Sequence, residues 1–201
     1  MDWTSWIWIG SLAAIYGLFW VWYGGNGKPL SPTEGDRLLA KMELMHGVNR
    51  ADAPPGSLTR NLADMLPHDD GKQFYAVNLE TRRKAAEATA AEREYTRSLL
   101  PILLSRAGHP VFVSERAGLM LGEYGKSIDR VAVVRYRSLR DLLEMVTDPA
   151  MPAAGEHKFA ALEHTEVFIT RPTISIAKVR LLVGLLLAIT GLIGLAVTGQ
   201  L

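Results

Sequence analysis

The sequence predicts an α+β domain of element order βαββαβ held between two transmembrane helices. Three observations predict it. The apolar residues gather in two long runs at the ends of the chain, the first uncharged and the second with a single charge. Four short alternating segments lie between them. Two helical patterns separate those segments in the order strand, helix, strand, strand, helix, strand.

The first run, Trp3 to Tyr23, reads WTSWIWIGSLAAIYGLFWVWY and carries no charge. At 1.5 Å per residue it extends about 31 Å, one hydrocarbon thickness. All five tryptophans lie in it, Trp3, Trp6 and Trp8 at one end and Trp20 and Trp22 at the other. An indole has an apolar body and one N–H donor, which suits both rims of a bilayer. A cleaved signal peptide would need a basic start and a small-residue cleavage site. Asp2 precedes the run and bulky Trp22–Tyr23 closes it, so the reading is a retained anchor. The second run, Val179 to Gly199, has Arg180 as its sole charge, near enough to the end to reach the headgroups. Small residues recur along both runs: Gly10, Ala14 and Gly17 on the first, Gly184, Ala188 and Gly191 on the second. Such spacing permits close helix packing, with each other or with a second copy. Lys28, Arg37, Lys41, Arg171, Lys178 and Arg180 flank the runs on the domain side, and the outer flanks hold no basic residue. That bias predicts a two-pass protein of the cytoplasmic membrane, domain inside and both termini outside.

Residues 24–72 read as a polar connector with a short helix. Gly24, Gly25, Gly27, Pro29 and Pro32 interrupt the first run. Thr33 is the expected N-cap, and Leu38, Leu39, Met42 and Met45 form an apolar stripe that packs on protein more readily than on lipid, because Glu34, Asp36 and Glu43 dilute its basic character. A helical turn is expected around Leu58–Leu66, then a loop.

Residues 73–172 read as the folded core. Gln73–Leu79 alternates as a strand; Arg83 to Ala107 is a long helical pattern interrupted by Pro101 and capped by Gly108. Pro110–Arg116 and Arg130–Arg137 are strands joined by a loop containing Gly122 and Gly125. Ser138 caps a helix bearing Leu139, Leu142, Leu143 and Val146, ended by Asp148-Pro149, and Thr165–Thr170 is the last strand. This order is the ferredoxin-like split βαβ arrangement, an antiparallel sheet with both helices on one face. Val131 and Val133 oppose Ala132 and Val134, so the second sheet face also needs cover, for which the sheet of a second subunit is the simplest source.

Composition narrows the chemistry. Lys and Arg number 22 against 21 Asp and Glu, so no basic excess points to nucleic acid. Zero cysteines exclude disulfides, thiolate metal sites and a Cys nucleophile. No cofactor is implied: Gly118, Gly122 and Gly125 lack the strand–GxGxxG–helix context of a dinucleotide site. Glu156-His157 and Glu163-His164 match no ligand spacing and have no third partner in view, so no metal site is predicted. His109, at the mouth of the second strand, is the candidate acid/base or ligand-orienting group, with a structural cap as the alternative. Tyr75, Phe112 and Tyr136 are candidate walls of an apolar pocket between helices and sheet, with core or dimer interface as the alternative. Glu115 and Arg135, on neighbouring strands, can pair or face that pocket.

The segments FYAVNLE, LSRAGHPVFVSE, RVAVVRYRSLRDLLEMVTDPAM and HTEVFITRP, with Tyr95 on the first helix, resemble the DUF1330 family of the dimeric α/β-barrel superfamily. That superfamily also includes antibiotic-biosynthesis monooxygenases and stress-response barrel proteins. The likeness runs from Phe74 to Arg171, about half the chain, and its motifs are structural. Gly108-His109 stands where many relatives have Gly-Gly, and the anchors are foreign to the soluble family. The resemblance implies the fold and a dimer but no reaction. Two functions follow as expectations: an accessory or assembly module that dimerises or docks on a membrane-protein partner, or a cofactor-independent monooxygenase or isomerase-like enzyme acting on a small apolar substrate. A closed pocket with convergent polar groups separates the second from the first.

Overall fold

The structure is a computed structural model and describes residues 2–173 and 178–199. The chain forms two compact units: residues 27–172, and residues 1–26 together with 173–201.

The second of these is built on two helices, α1 (Trp3–Gly24) and α7 (Val179–Val197), both long and apolar enough to cross a membrane. Asp2 caps α1, its carboxylate accepting the Ser5 N–H at 2.9 Å. The helices pack through aromatic side chains of α1 set against glycines of α7. A Cβ at Gly184 would lie 3.0 Å from the Tyr16 ring, and one at Gly194 would lie 2.5 Å from the Trp8 indole nitrogen. The Tyr16 hydroxyl donates to the Arg180 carbonyl at 3.1 Å, and the Arg180 guanidinium lies 4.3 Å from the centre of the Trp20 ring.

The other unit opens with α2 (Pro32–His46) and α3 (Leu58–Met65). The N-cap of α2 is Ser31, not Thr33. Ser31 and Glu34 form a reciprocal capping box, and Pro32 sits at the first helical position, where its missing N–H costs nothing. Then come β1 (Phe74–Arg82), α4 (Ala86–Ser105), β2 (His109–Glu115), β3 (Arg130–Tyr136), α5 (Leu139–Val146), α6 (Met151–Ala161) and β4 (Leu162–Thr170). The antiparallel sheet has order β2-β3-β1-β4. Three departures from the sequence reading matter. Helix α4 continues through Pro101. Gly108 does not cap it: the left-handed residue is Ala107, at φ 56°. Gly108 is required by close approach, since a Cβ there would lie 2.5 Å from Leu103 and 3.1 Å from the Arg135 carbonyl. Helix α6 is a second helix before β4; its sequence MPAAGEHKFAA has no apolar periodicity to announce it.

One sheet face carries the core. Phe74 and Ala76 of β1 and Tyr136 of β3 are buried under Leu103 of α4 and Leu139, Leu142, Leu143 and Val146 of α5, with Leu38, Leu39, Met42 and Leu62 from α2 and α3. Helix α2 is thus part of this core, fixed to α5 by the Glu34–Arg140 ion pair at 2.5 Å and to its end by His46 Nε2 against the Val146 carbonyl at 3.1 Å.

Candidate functional site

Strand register assigns every side chain of the sheet to a face. Phe74 pairs with Tyr136, Ala76 with Val134, Asn78 with Ala132 and Glu80 with Arg130, and all of these look toward the helices. The intervening residues look the other way: Tyr75, Val77 and Leu79 of β1, Val131, Val133 and Arg135 of β3, Phe112 and Ser114 of β2, and Glu166, Phe168 and Thr170 of β4. The middle of this second face is a band of Val77, Leu79, Val131 and Val133, flanked by Phe112 on one side and Phe168 on the other. Phe112 is 54% exposed and Phe168 46%. A soluble sheet normally turns polar residues to water on its free face; this one turns valine, leucine and phenylalanine.

The two edge strands share that character on both faces. Val111, Phe112 and Val113 of β2 are exposed, as are Val167, Phe168 and Ile169 of β4. Proline and charge stand outside these runs, Pro110 and Glu115 on β2 and Glu163 and Glu166 on β4, whereas consecutive apolar residues belong to strands covered on both sides. Polar groups gather at the ends of the open face. Arg135 is buried at one end, its Nε donating to Gln73 Oε1 at 2.9 Å and its Nη1 to the Ala107 carbonyl at 2.6 Å. That second bond holds the turn in which Ala107 takes its positive φ. At the other end the Tyr124 hydroxyl donates to Glu166 Oε2 across the face, which raises the Tyr124 pKa.

Register also places the candidate residues named from sequence. His109 lies opposite Arg135 on the open face, and its Nδ1 is 3.0 Å from the Pro110 carbonyl. Tyr75 and Phe112 share that face, whereas Tyr136 is on the covered one, stacked on Phe74 with ring centres 5.5 Å apart. The expected single pocket between helices and sheet therefore does not assemble from these residues: with a side-chain period of two, Tyr75 and Tyr136 take opposite parity. Burial drives the Tyr136 phenol pKa upward. Glu115 and Arg135 do not meet either; Glu115 lies opposite Arg130 and pairs with Arg82 at 3.0 Å. Of the small residues on the long helices, Gly184 and Gly191 take Tyr16 and Leu12 of α1, while Gly10, Ala14, Gly17 and Ala188 are exposed and Gly10 and Gly17 have no atom near a Cβ position. The two stripes thus do not face each other.

A polar cluster on the covered face was not read from the sequence. Arg130 donates to buried Glu80 at 2.6 Å and to Glu92 of α4; Arg82 bonds Glu92 at 2.9 Å. Burial works to raise the Glu92 pKa, but the bonds and charges of Arg130 and Arg82 outweigh it and the net shift is downward. Beside this ladder Lys158 of α6 lies 5.9 Å from the centre of the Tyr95 ring. Desolvation lowers the Lys158 pKa and raises that of Tyr95 to about 12, so the phenol stays a neutral donor. The available signal was parity: Glu80 and Arg130 occupy covered-face positions where an isolated charge would be costly, which requires a partner. The shallow cleft beside Leu103, Arg106, Gly108, Tyr136 and Asp141 encloses no space for a ligand.

No family model and no curated protein matches the sequence. Solved structures do. The RPA0582 protein of Rhodopseudomonas palustris, of unknown function, aligns at TM-score 0.52 and 21% identity over 59% of this chain and 96% of its own. The cofactor-independent oxygenase SnoaB of Streptomyces nogalater aligns at TM-score 0.37 and 13% identity, over 53% of this chain and 99% of its own. A NIPSNAP domain protein of Burkholderia xenovorans gives TM-score 0.39 and 13% identity, over 52% and 99%. The likeness to RPA0582 shows the fold, an α+β domain of ferredoxin-like form, and the two long apolar helices flank it.

Proposed function

We propose that this protein is a membrane-anchored assembly module of the dimeric α/β-barrel type, in which two copies pair through the open faces of their sheets. The observation that carries this reading is the open apolar face: half-buried Val77, Leu79, Val131 and Val133 between exposed Phe112 and Phe168, with three consecutive exposed apolar residues on each edge strand, Val111 to Val113 and Val167 to Ile169. Apposed sheets pack about 10 Å apart with interdigitating side chains, and a valine-rich face with an aromatic on each flank suits that geometry. The motifs that resemble the DUF1330 family fall on this domain. Helices α1 and α7 anchor it in the cytoplasmic membrane, with the domain inside and both termini outside, as the basic residues on the domain side favour. Anchoring raises the chance of encounter between copies by confining them to a surface, so a modest face suffices for pairing.

Two differently tagged copies co-expressed and extracted in mild detergent test it. One tag should bring the other down, and a Phe112→Asp/Phe168→Asp pair in both copies should abolish that capture. Recovery of the tagged copy alone from the unmodified protein contradicts the reading.

A further inference from the structure

The loop between β2 and β3 presents the most exposed apolar side chains of the unit formed by residues 27–172. Met120 is 102% exposed and Leu121 95%, with Tyr124 also largely bare and Leu119 partly so. The segment is nonetheless built. Leu119 lies on Gly125, where a Cβ would sit 2.9 Å from its Cδ2. Arg116 Nε donates to the Ile128 carbonyl at 2.7 Å, and the Thr81 hydroxyl donates to the Ser127 carbonyl at 2.5 Å. The Tyr124 hydroxyl reaches Glu166 of β4, two strands beyond β3. Both Thr81 and Glu166 belong to the open face, so the loop is folded across that face at its far end. The chain enters and leaves the unit at the opposite end of the sheet. There Leu30 N–H donates to Asp69 at 2.7 Å and Arg171 binds Asp70 at 2.7 Å.

Two apolar side chains held fully in water on an ordered loop mark a contact surface. The sheet face beside them says what covers them. Four strands ~4.8 Å apart and seven residues of ~3.3 Å make the face a flat patch of roughly 19 by 23 Å. A stable pair buries about 800 Å² of accessible surface on each partner. The loop continues the patch where the strands end and adds the whole of Met120 and Leu121 to the apolar surface a second copy would cover. We infer that Leu119–Leu121 is an arm that extends the dimer interface, laying Met120 and Leu121 on the second copy. The inference rests on the pairing proposed above.

The full chain in detergent tests it with a photo-crosslinking side chain placed at position 120 and, separately, a Met120→Ser/Leu121→Ser variant measured by sedimentation. The arm should give a covalent adduct of two copies of this chain, and the variant should raise the dimer dissociation constant at least about tenfold, since each side chain is fully uncovered without a partner. A dimer that forms with unchanged affinity in the variant, or whose position-120 adducts are with lipid or an unrelated protein, overturns the arm and leaves the face-to-face pairing intact. An unmodified chain that sediments as a monomer overturns both. The substituted side chains touch only solvent within one copy, so an unchanged melting midpoint confirms that the fold is not what moved.

Discussion

Replacing Phe112 with serine should separate the two copies without disturbing either. A phenylalanine buries 150–250 Å² when fully enclosed. With 54% of Phe112 exposed in a single copy, about 100 Å² remains to be covered on pairing. At ~25 cal/mol per Å² that is about 2.5 kcal/mol, and each dimer contains the ring twice, giving about 5 kcal/mol. Edge strands relax and residual contacts persist, so roughly half of this should be realised, a rise of about a hundredfold in Kd. Sedimentation equilibrium of the full chain in density-matched detergent measures that constant directly. The same variant should melt within a degree or two of the unmodified protein at concentrations where both are monomeric, because Phe112 belongs to no core cluster of its own copy. A change in Kd below about threefold would refute the account of this face, since even half of one ring's burial exceeds it.

Other outcomes follow from different parts of the structure. Glu34, hydrogen-bonded by Arg140 and Ser31, is held down to a pKa of about 2 against 4.5. Its depressed folded value means that its stabilisation of the α2–α5 contact is complete above pH 4.5 and is lost as pH falls toward 2. Thermal midpoints between pH 5 and pH 2.5 should therefore drop more in the unmodified chain than in Glu34→Gln. Gly194→Leu, which would place carbon within 2.5 Å of the Trp8 indole, should part α1 from α7. Loss of disulfide formation between cysteines introduced at Leu12 and Gly191 reports it; persistence of that disulfide argues against this packing. For topology, Asp52→Cys in this cysteine-free chain should resist a membrane-impermeant maleimide in intact cells and react after lysis. Labelling in intact cells would reverse the orientation.

Much of the fold was legible because hydrophobic periodicity survives in single elements. Arg130–Tyr136 alternates cleanly, and Leu139, Leu142, Leu143 and Val146 mark one helix face. Helix α6 was not legible: alanines and Gly155 carry no moment, and it is helical because it is packed against α4. The α2 N-cap is Ser31 rather than Thr33, and Pro32 conceals it because proline reads equally as a breaker and as a first helical residue. The bare face could be foreseen from the two-sided alternation of β3. Which aromatics lie on it could not, since that depends on the register of β1 against β3 and on the bulge in β2 near Val111. The Glu80–Arg130–Glu92 ladder joins residues far apart in sequence, and only the sheet brings them together.

A second copy of this chain closing the open sheet face would make the protein a dimer. Sedimentation equilibrium of the unmodified chain in density-matched detergent weighs it most directly. The expected protein mass is that of two chains, about twice 22.1 kDa, dissociating on dilution. A mass of one chain at every concentration, with the domain folded, would contradict it.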